Sequence, residues 1–106
     1  MIEVTEQDEL TKHLKMHPRV IALFYASWCP FCVRFLPIFR KRVAEAGRRC
    51  VLVQDDQQSI AGLYAIEVYP TVLFFEKGAV SKRLDGVPGF GLDEKRLTEF
   101  VDLCPQ

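Results

Sequence analysis

Residues 20–32 read VIALFYASWCPFC, Val20 to Cys32, and the reading of this stretch decides the fold. With Arg19 it opens as a nearly continuous apolar run, RVIALFY over residues 19–25. A strand buried on both faces reads this way, as parallel strands in α/β proteins do. The run stops at Ser27, and two cysteines follow, Cys29 and Cys32, with Pro30 and Phe31 between them. From Pro30 the apolar residues recur at helical spacing: Phe31, Phe35, Ile38, Phe39 and Val43, interrupted by Pro37, with Gly47 as the stop. Cys29 therefore falls where a central strand ends and a helix begins. By spacing alone the pair could be a metal clamp, a structural staple or a redox couple.

The flanking chain supplies the remaining elements. Ile2–Val4 is a short strand-like opening. Thr5 with Asp8 suggests a helix start, Leu10, Leu14 and Met16 recur at helical spacing, and Pro18 ends that helix. Residues 50–54 (CVLVQ) read as a second buried strand, and residues 57–66 as a short helix bearing Ile60, Leu63 and Tyr64. Residues 71–75 (TVLFF) are a further apolar strand, and Glu76-Lys77-Gly78 is a turn that pairs Ala79–Leu84 back against it. Asp93 caps a last helix whose Leu97, Phe100 and Val101 face inward. The order βαβαβαββα predicts an α/β fold with a five-stranded mixed sheet flanked by four helices, in a single domain over residues 1–106.

Composition narrows the function classes. The chain of 106 residues is 49% hydrophobic and 26% charged with zero formal net charge, an ordinary globular balance. No net field steers nucleic acid or an anionic membrane toward it. The basic clusters Arg40-Lys41-Arg42 and Arg48-Arg49 fit a helix C-terminus, where cations complement the macrodipole. The opening MIEVTEQDEL has neither a basic n-region nor a long apolar core, and no stretch approaches the roughly 20 apolar residues of a membrane span. A cytoplasmic monomer is the expectation. In a reducing compartment a close cysteine pair is catalytic or metal-binding more often than structural.

Placement gives the pair its chemistry. Reactive groups in open α/β sheets gather at the carboxyl ends of strands. Unpaired N–H groups and the positive end of a helix dipole favour a thiolate there, so Cys29 is the expected nucleophile. Cys32, one turn further on, is close enough to close a ring and release a trapped partner. Pro30 suits the first helical turn, where its missing N–H costs little and its fixed φ stiffens the segment holding both sulfurs. Phe31 is expected to face outward as a contact surface.

These residues resemble the thioredoxin superfamily over nearly the whole chain. VIALFYASWCPFC is similar to the family's central strand, aromatic-Ala-x-Trp-Cys segment and CxxC site. Pro37 sits where a helix-kinking proline follows the second cysteine. Tyr69-Pro70-Thr71 occupies the place of the cis-proline segment opposite the active site, FFEKG that of the next hairpin, and LTEF that of the closing helix. The resemblance implies a thiol–disulfide oxidoreductase that cycles through a Cys29–Cys32 disulfide and uses no cofactor. It implies disulfide-containing protein substrates and an upstream electron donor as partners. Trp28 would pack beside the disulfide, Pro70 would be cis, and the backbone of Tyr69 would pair with a substrate chain.

Three departures qualify the resemblance. The central pair Pro30-Phe31 is closer to the CPYC of glutaredoxins than to the Gly-Pro of ordinary thioredoxins. Leu23 stands where thioredoxins bury an aspartate beneath the second cysteine, and Val51 where a lysine accompanies it. An all-apolar floor beneath Cys32 is expected. The rival readings are a glutathione-dependent glutaredoxin-like enzyme, with Arg34 as its candidate cation, and a metal-binding or redox-inactive module. Zinc wants four ligands. Cys50 reads as a core thiol, Cys104 as an incidental thiol at a frayed end, and His13 and His17 as surface residues at i and i+4, so no metal is expected.

Overall fold

The computed structural model describes residues 1–106. It runs β1 (Ile2–Val4), α1 (Gln7–Met16), β2 (Arg19–Tyr25), α2 (Pro30–Glu45), β3 (Cys50–Gln54), β4 (Thr71–Glu76), β5 (Ala79–Leu84) and α3 (Glu94–Leu103). The five strands form one sheet in the order β1-β3-β2-β4-β5. β3 lies parallel to β1 and β2, whereas β4 is antiparallel to β2 and β5, so the sheet is mixed. Every residue of β2 from Val20 to Tyr25 is buried, which is why that strand reads as continuous apolar sequence.

Paired residues share a face of the sheet, and faces alternate along each strand. Phe24 packs its ring 5.5 Å from that of Tyr64, which marks its row as the face covered by α1. Tyr64 in turn receives a hydrogen bond from Gln7 of α1. Phe74 lies beneath the guanidinium of Arg48, just beyond α2, and pairs with Ile21. The row Ile21, Leu23 and Tyr25 therefore faces α2 and α3. Leu23 pairs with Leu52 on β3 and Val72 on β4, so the surface under α2 is apolar. Val51 pairs with Ala22 and faces the other way. Leu52, one residue along, is the β3 contributor to the floor expected of Val51.

Helix α2 starts at Pro30 with Cys29 as its N-cap and passes Pro37 without a break. It closes through Gly47 at φ 64°, where Gly47 N–H bonds to Ala44 O and Arg48 N–H to Val43 O, the Schellman pattern. The hairpin after Glu76 turns on Lys77 and Gly78, both at positive φ, as a two-residue turn between right-twisting strands requires. Asp93 caps α3 by accepting the N–H of Arg96 at 2.9 Å.

Several local expectations need correction. The sheet is flanked by three α-helices: residues 57–66 form only a 3-10 turn at Ala61–Tyr64. Left-handed residues at Gln58 and Ala65 bracket that segment and leave no length for an α-helix. The N-cap of α1 is Glu6, and the Glu9 carboxylate takes the backbone N–H groups of both Thr5 and Glu6. Met16 and Leu63 point to solvent. His13 is buried at 6% exposure, its ring 4.7 Å from that of half-buried His17. The C-terminal end is tied down: Arg48 donates to Val101 O and Pro105 O, Arg19 donates to Gln106 O, and the Cys104 thiol is buried and donates to Phe100 O. No helix is long and apolar enough to cross a membrane.

Candidate active site

The two cysteines differ in what surrounds them. Cys29 Sγ accepts the backbone N–H of Cys32 at 3.3 Å and lies 3.8 Å from the carbonyl oxygen of Tyr69. Cys29 also lines an open groove of about 500 Å³ with Trp28, Pro30, Phe31 and Tyr69. Cys32 is sealed at 1% exposure on the inner face of α2. Burial, reinforced by the hydrogen bond with Cys29, pushes its thiol pKa up to about 12. No carboxylate stands beneath it to take its proton, because Leu23 and its paired neighbours Leu52 and Val72 are apolar. All four cysteines are free thiols.

The opposite wall is built from the loop before β4. Tyr69–Pro70 is a cis peptide bond, and Tyr69 is buried. The Tyr69 hydroxyl donates to Asp55 Oδ2 at 2.7 Å. Asp55, itself buried at the end of β3, also accepts the N–H groups of Ile60 and Ala61 and the hydroxyl of Ser59. Burial by itself would raise its pKa, but these four donors outweigh it and hold the carboxyl below its ordinary range. Burial, then the same bond, holds the Tyr69 phenol protonated, with its pKa well above the usual value.

Trp28 stays 55% exposed. Its Nε1–H donates to Asp56 O at 2.8 Å and its ring meets that of Tyr69 edge-on at 6.2 Å. The Asp56 carboxylate fixes the start of the motif by accepting Ser27 N–H and Oγ–H, each at 2.7 Å. Phe31 is half-buried and does not stand free. Its Cβ faces Gly91 so closely that a Cβ there would sit 2.8 Å away, and the Arg34 guanidinium lies 5.4 Å from its ring centroid. Arg34 donates to Phe90 O at 3.1 Å, so it fastens the 87–91 loop to α2. Gly86 closes against the same wall, since a Cβ there would collide with Pro70 O.

The thioredoxin family model matches residues 1–102. The chain belongs to the thioredoxin family. It is 34% identical over 98 residues to a thioredoxin of Mycoplasmoides gallisepticum, covering 89% of this chain and 97% of that one. It is 27% identical over 84 residues to protein disulfide-isomerase A5 of Bos taurus, covering 74% of this chain but only 16% of that protein. Among solved structures, reduced Schistosoma mansoni thioredoxin superposes with TM-score 0.84 at 21% identity, covering 98% of this chain and 97% of that one. A thioredoxin mutant of Halobacterium salinarum gives 0.81 at 24% identity, covering 99% and 90%. This is a thioredoxin-fold thiol–disulfide oxidoreductase.

Sequence reasoning missed Asp55, Asp56, Gly86 and Gly91. The adjacent acids at the end of an apolar strand were the visible signal for the first two. Nothing local marks the glycines, because their role is set by Phe31 and Pro70, far away in the chain. The other candidate ligands do not converge: no group of three or more His, Cys, Asp or Glu side chains meets in the structure. Gln7, Leu14, His17 and Lys77 line a larger cavity of about 670 Å³ whose lining includes no cysteine.

Proposed function

We propose that the protein reduces disulfides in partner proteins, with Cys29 as nucleophile and Cys32 as resolving thiol. The observation that carries this reading is the asymmetry of the pair: Cys29, although only 5% exposed, lines the groove with an N–H aimed at its sulfur, and Cys32, 1% exposed, lies behind it and does not line the groove. In the first step the Cys29 thiolate attacks one sulfur of the substrate disulfide, forming the Cys29–substrate disulfide and expelling the other substrate thiolate. In the second step Cys32 loses its proton and attacks Cys29 Sγ. The Cys29–Cys32 bond forms, the substrate bond breaks, and the second substrate sulfur leaves. With no carboxylate facing Cys32, the proton passes to that departing sulfur or to water in the groove. The substrate has gained two electrons and two protons, and an upstream dithiol reductase returns them to the protein.

Trp28, Tyr69 and Pro70 would form the surface on which the substrate chain lies, with Pro30 holding the motif rigid and Phe31 joining it to the 87–91 loop. The glutathione-dependent alternative has less support, because Arg34 does not line the groove and spends its guanidinium on Phe31 and Phe90 O. We place the protein in the cytoplasm as a monomer, where thiols are kept reduced. Insulin reduction tests the reading: turnover with a dithiol donor and none with glutathione alone is expected, and turnover with glutathione alone would reverse it.

A further inference from the structure

The groove beside Cys29 carries a charge that the disulfide chemistry does not use. Twelve residues line it, seven of them hydrophobic, and Glu67 is the one with a charged side chain. Glu67 is exposed and takes part in none of the five ion pairs of the molecule, which join Arg19–Glu76, Arg40–Glu3, Arg42–Glu45, Arg83–Asp85 and Arg96–Asp93. No side-chain hydrogen bond engages it either. Arg83, which lines the adjoining cavity with Glu67, is already committed to Asp85 at 2.8 Å and to the carbonyls of Tyr64 and Ala65. The groove thus presents a free carboxylate two residues before Tyr69, the residue whose carbonyl lies against the Cys29 sulfur.

We propose that Glu67 selects substrates, so that the enzyme prefers disulfides flanked by lysine or arginine on the segment that occupies the groove. This rests on the reductase reading above and names the substrate class for that site. A groove of about 500 Å³ holds a short extended segment, at about 3.3 Å per residue. A cation two or three residues from the substrate cysteine therefore reaches Glu67 while the disulfide sits at Cys29. An acidic segment meets an unneutralised carboxylate there, and its approach is opposed. The same charge disfavours glutathione, whose two carboxylates outnumber its amine. An apolar wall with a single charge orients the chain as well as choosing it, because only one direction brings the cation to Glu67.

The test uses three fluorogenic peptide disulfides that differ only in carrying Lys, Gln or Glu two residues from the cysteine. They are reduced by the intact wild-type protein and by Glu67→Gln and Glu67→Lys variants. The readout is the ratio of Lys-peptide to Glu-peptide rates within each protein, which is insensitive to a general loss of activity. For wild type the ratio is expected to exceed one by about two- to fivefold, the range of an exposed charge pair, and to fall toward one at high ionic strength. It should approach one in Glu67→Gln and drop below one in Glu67→Lys. A wild-type ratio of one, or a ratio that survives in Glu67→Gln, overturns the assignment of Glu67. Failure of wild type to reduce even the Gln peptide overturns the reductase reading itself.

Discussion

The hydroxyl of Tyr69 lies 2.7 Å from Oδ2 of Asp55, and through this bond the end of β3 holds the wall that faces Cys29. Asp55 is buried and satisfied by four donors, so its charge is stabilised where an unpaired one would be expelled. Substituting Asp55→Ala strands all four, and a loss of about 2–4 kcal/mol of stability is expected by urea denaturation. Tyr69→Phe removes one donor and should cost about 1–2 kcal/mol. Because the folded pKa is depressed, the stabilisation from Asp55 is present above the ordinary carboxylate range and is lost as pH falls below about 4. The acid limb of the unfolding curve should therefore shift in Asp55→Asn.

His13 makes stability fall on mild acidification. Burial, then the proximity of His17 and Arg49, lowers its pKa, and its Nε2 is sealed without a partner. The unfolded chain binds the proton more readily, so stability is complete above about pH 6.5 and declines below it, by at most about 1.4 kcal/mol per pH unit for one group. Denaturation midpoints at pH 7.5 and pH 5.5 should differ in wild type. The difference should shrink in His13→Leu.

Replacing Leu23 by Asp places a carboxylate between Leu52 and Val72, on the face under α2. With no buried cation to pair it, the variant is expected to lose about 3–5 kcal/mol above the raised pKa of that carboxyl. It should also give the rate of disulfide reduction a new pH-dependent limb from the added base. A pH–rate profile identical to wild type would mean that the floor plays no part in proton handling.

Gly86 and Gly91 hold the loops close to Pro70 and Phe31. Gly86→Ala would drive a methyl into Pro70 O, and Gly91→Ala would strain a backbone at φ 82° while pressing on Phe31. Each should cost about 1–3 kcal/mol and lower kcat/KM, measured beside the Tm. Gly62→Ala has open space above it and is the contrasting variant, expected to leave stability within about 1 kcal/mol.

Much of this was legible because local and global signals agree. The buried run in β2, the Cys29–Cys32 spacing and Pro30 all speak of one strand-to-helix junction, and the match of Tyr69-Pro70-Thr71 supplied the facing wall. What escaped were features set by distant partners. His13 lies on a polar-looking helix, and its burial depends on what packs there. Cys104 looks terminal until Arg48 and Arg19 tie the last residues down. The register of β3, on which the roles of Val51 and Leu52 turn, differs by a single residue, and a one-residue step moves a side chain to the other face. Phe31 looked free because Gly91 is sixty residues away.

The central claim is that Cys29 attacks and Cys32 resolves. Its most direct measurement is mass spectrometry of the adduct formed when Cys32→Ser protein meets an excess of a protein disulfide. A stable mixed disulfide mapped to Cys29, and no adduct with Cys29→Ser, is the expected result. An adduct on Cys50 or Cys104, or an undiminished reductase rate in Cys29→Ser, would contradict the account.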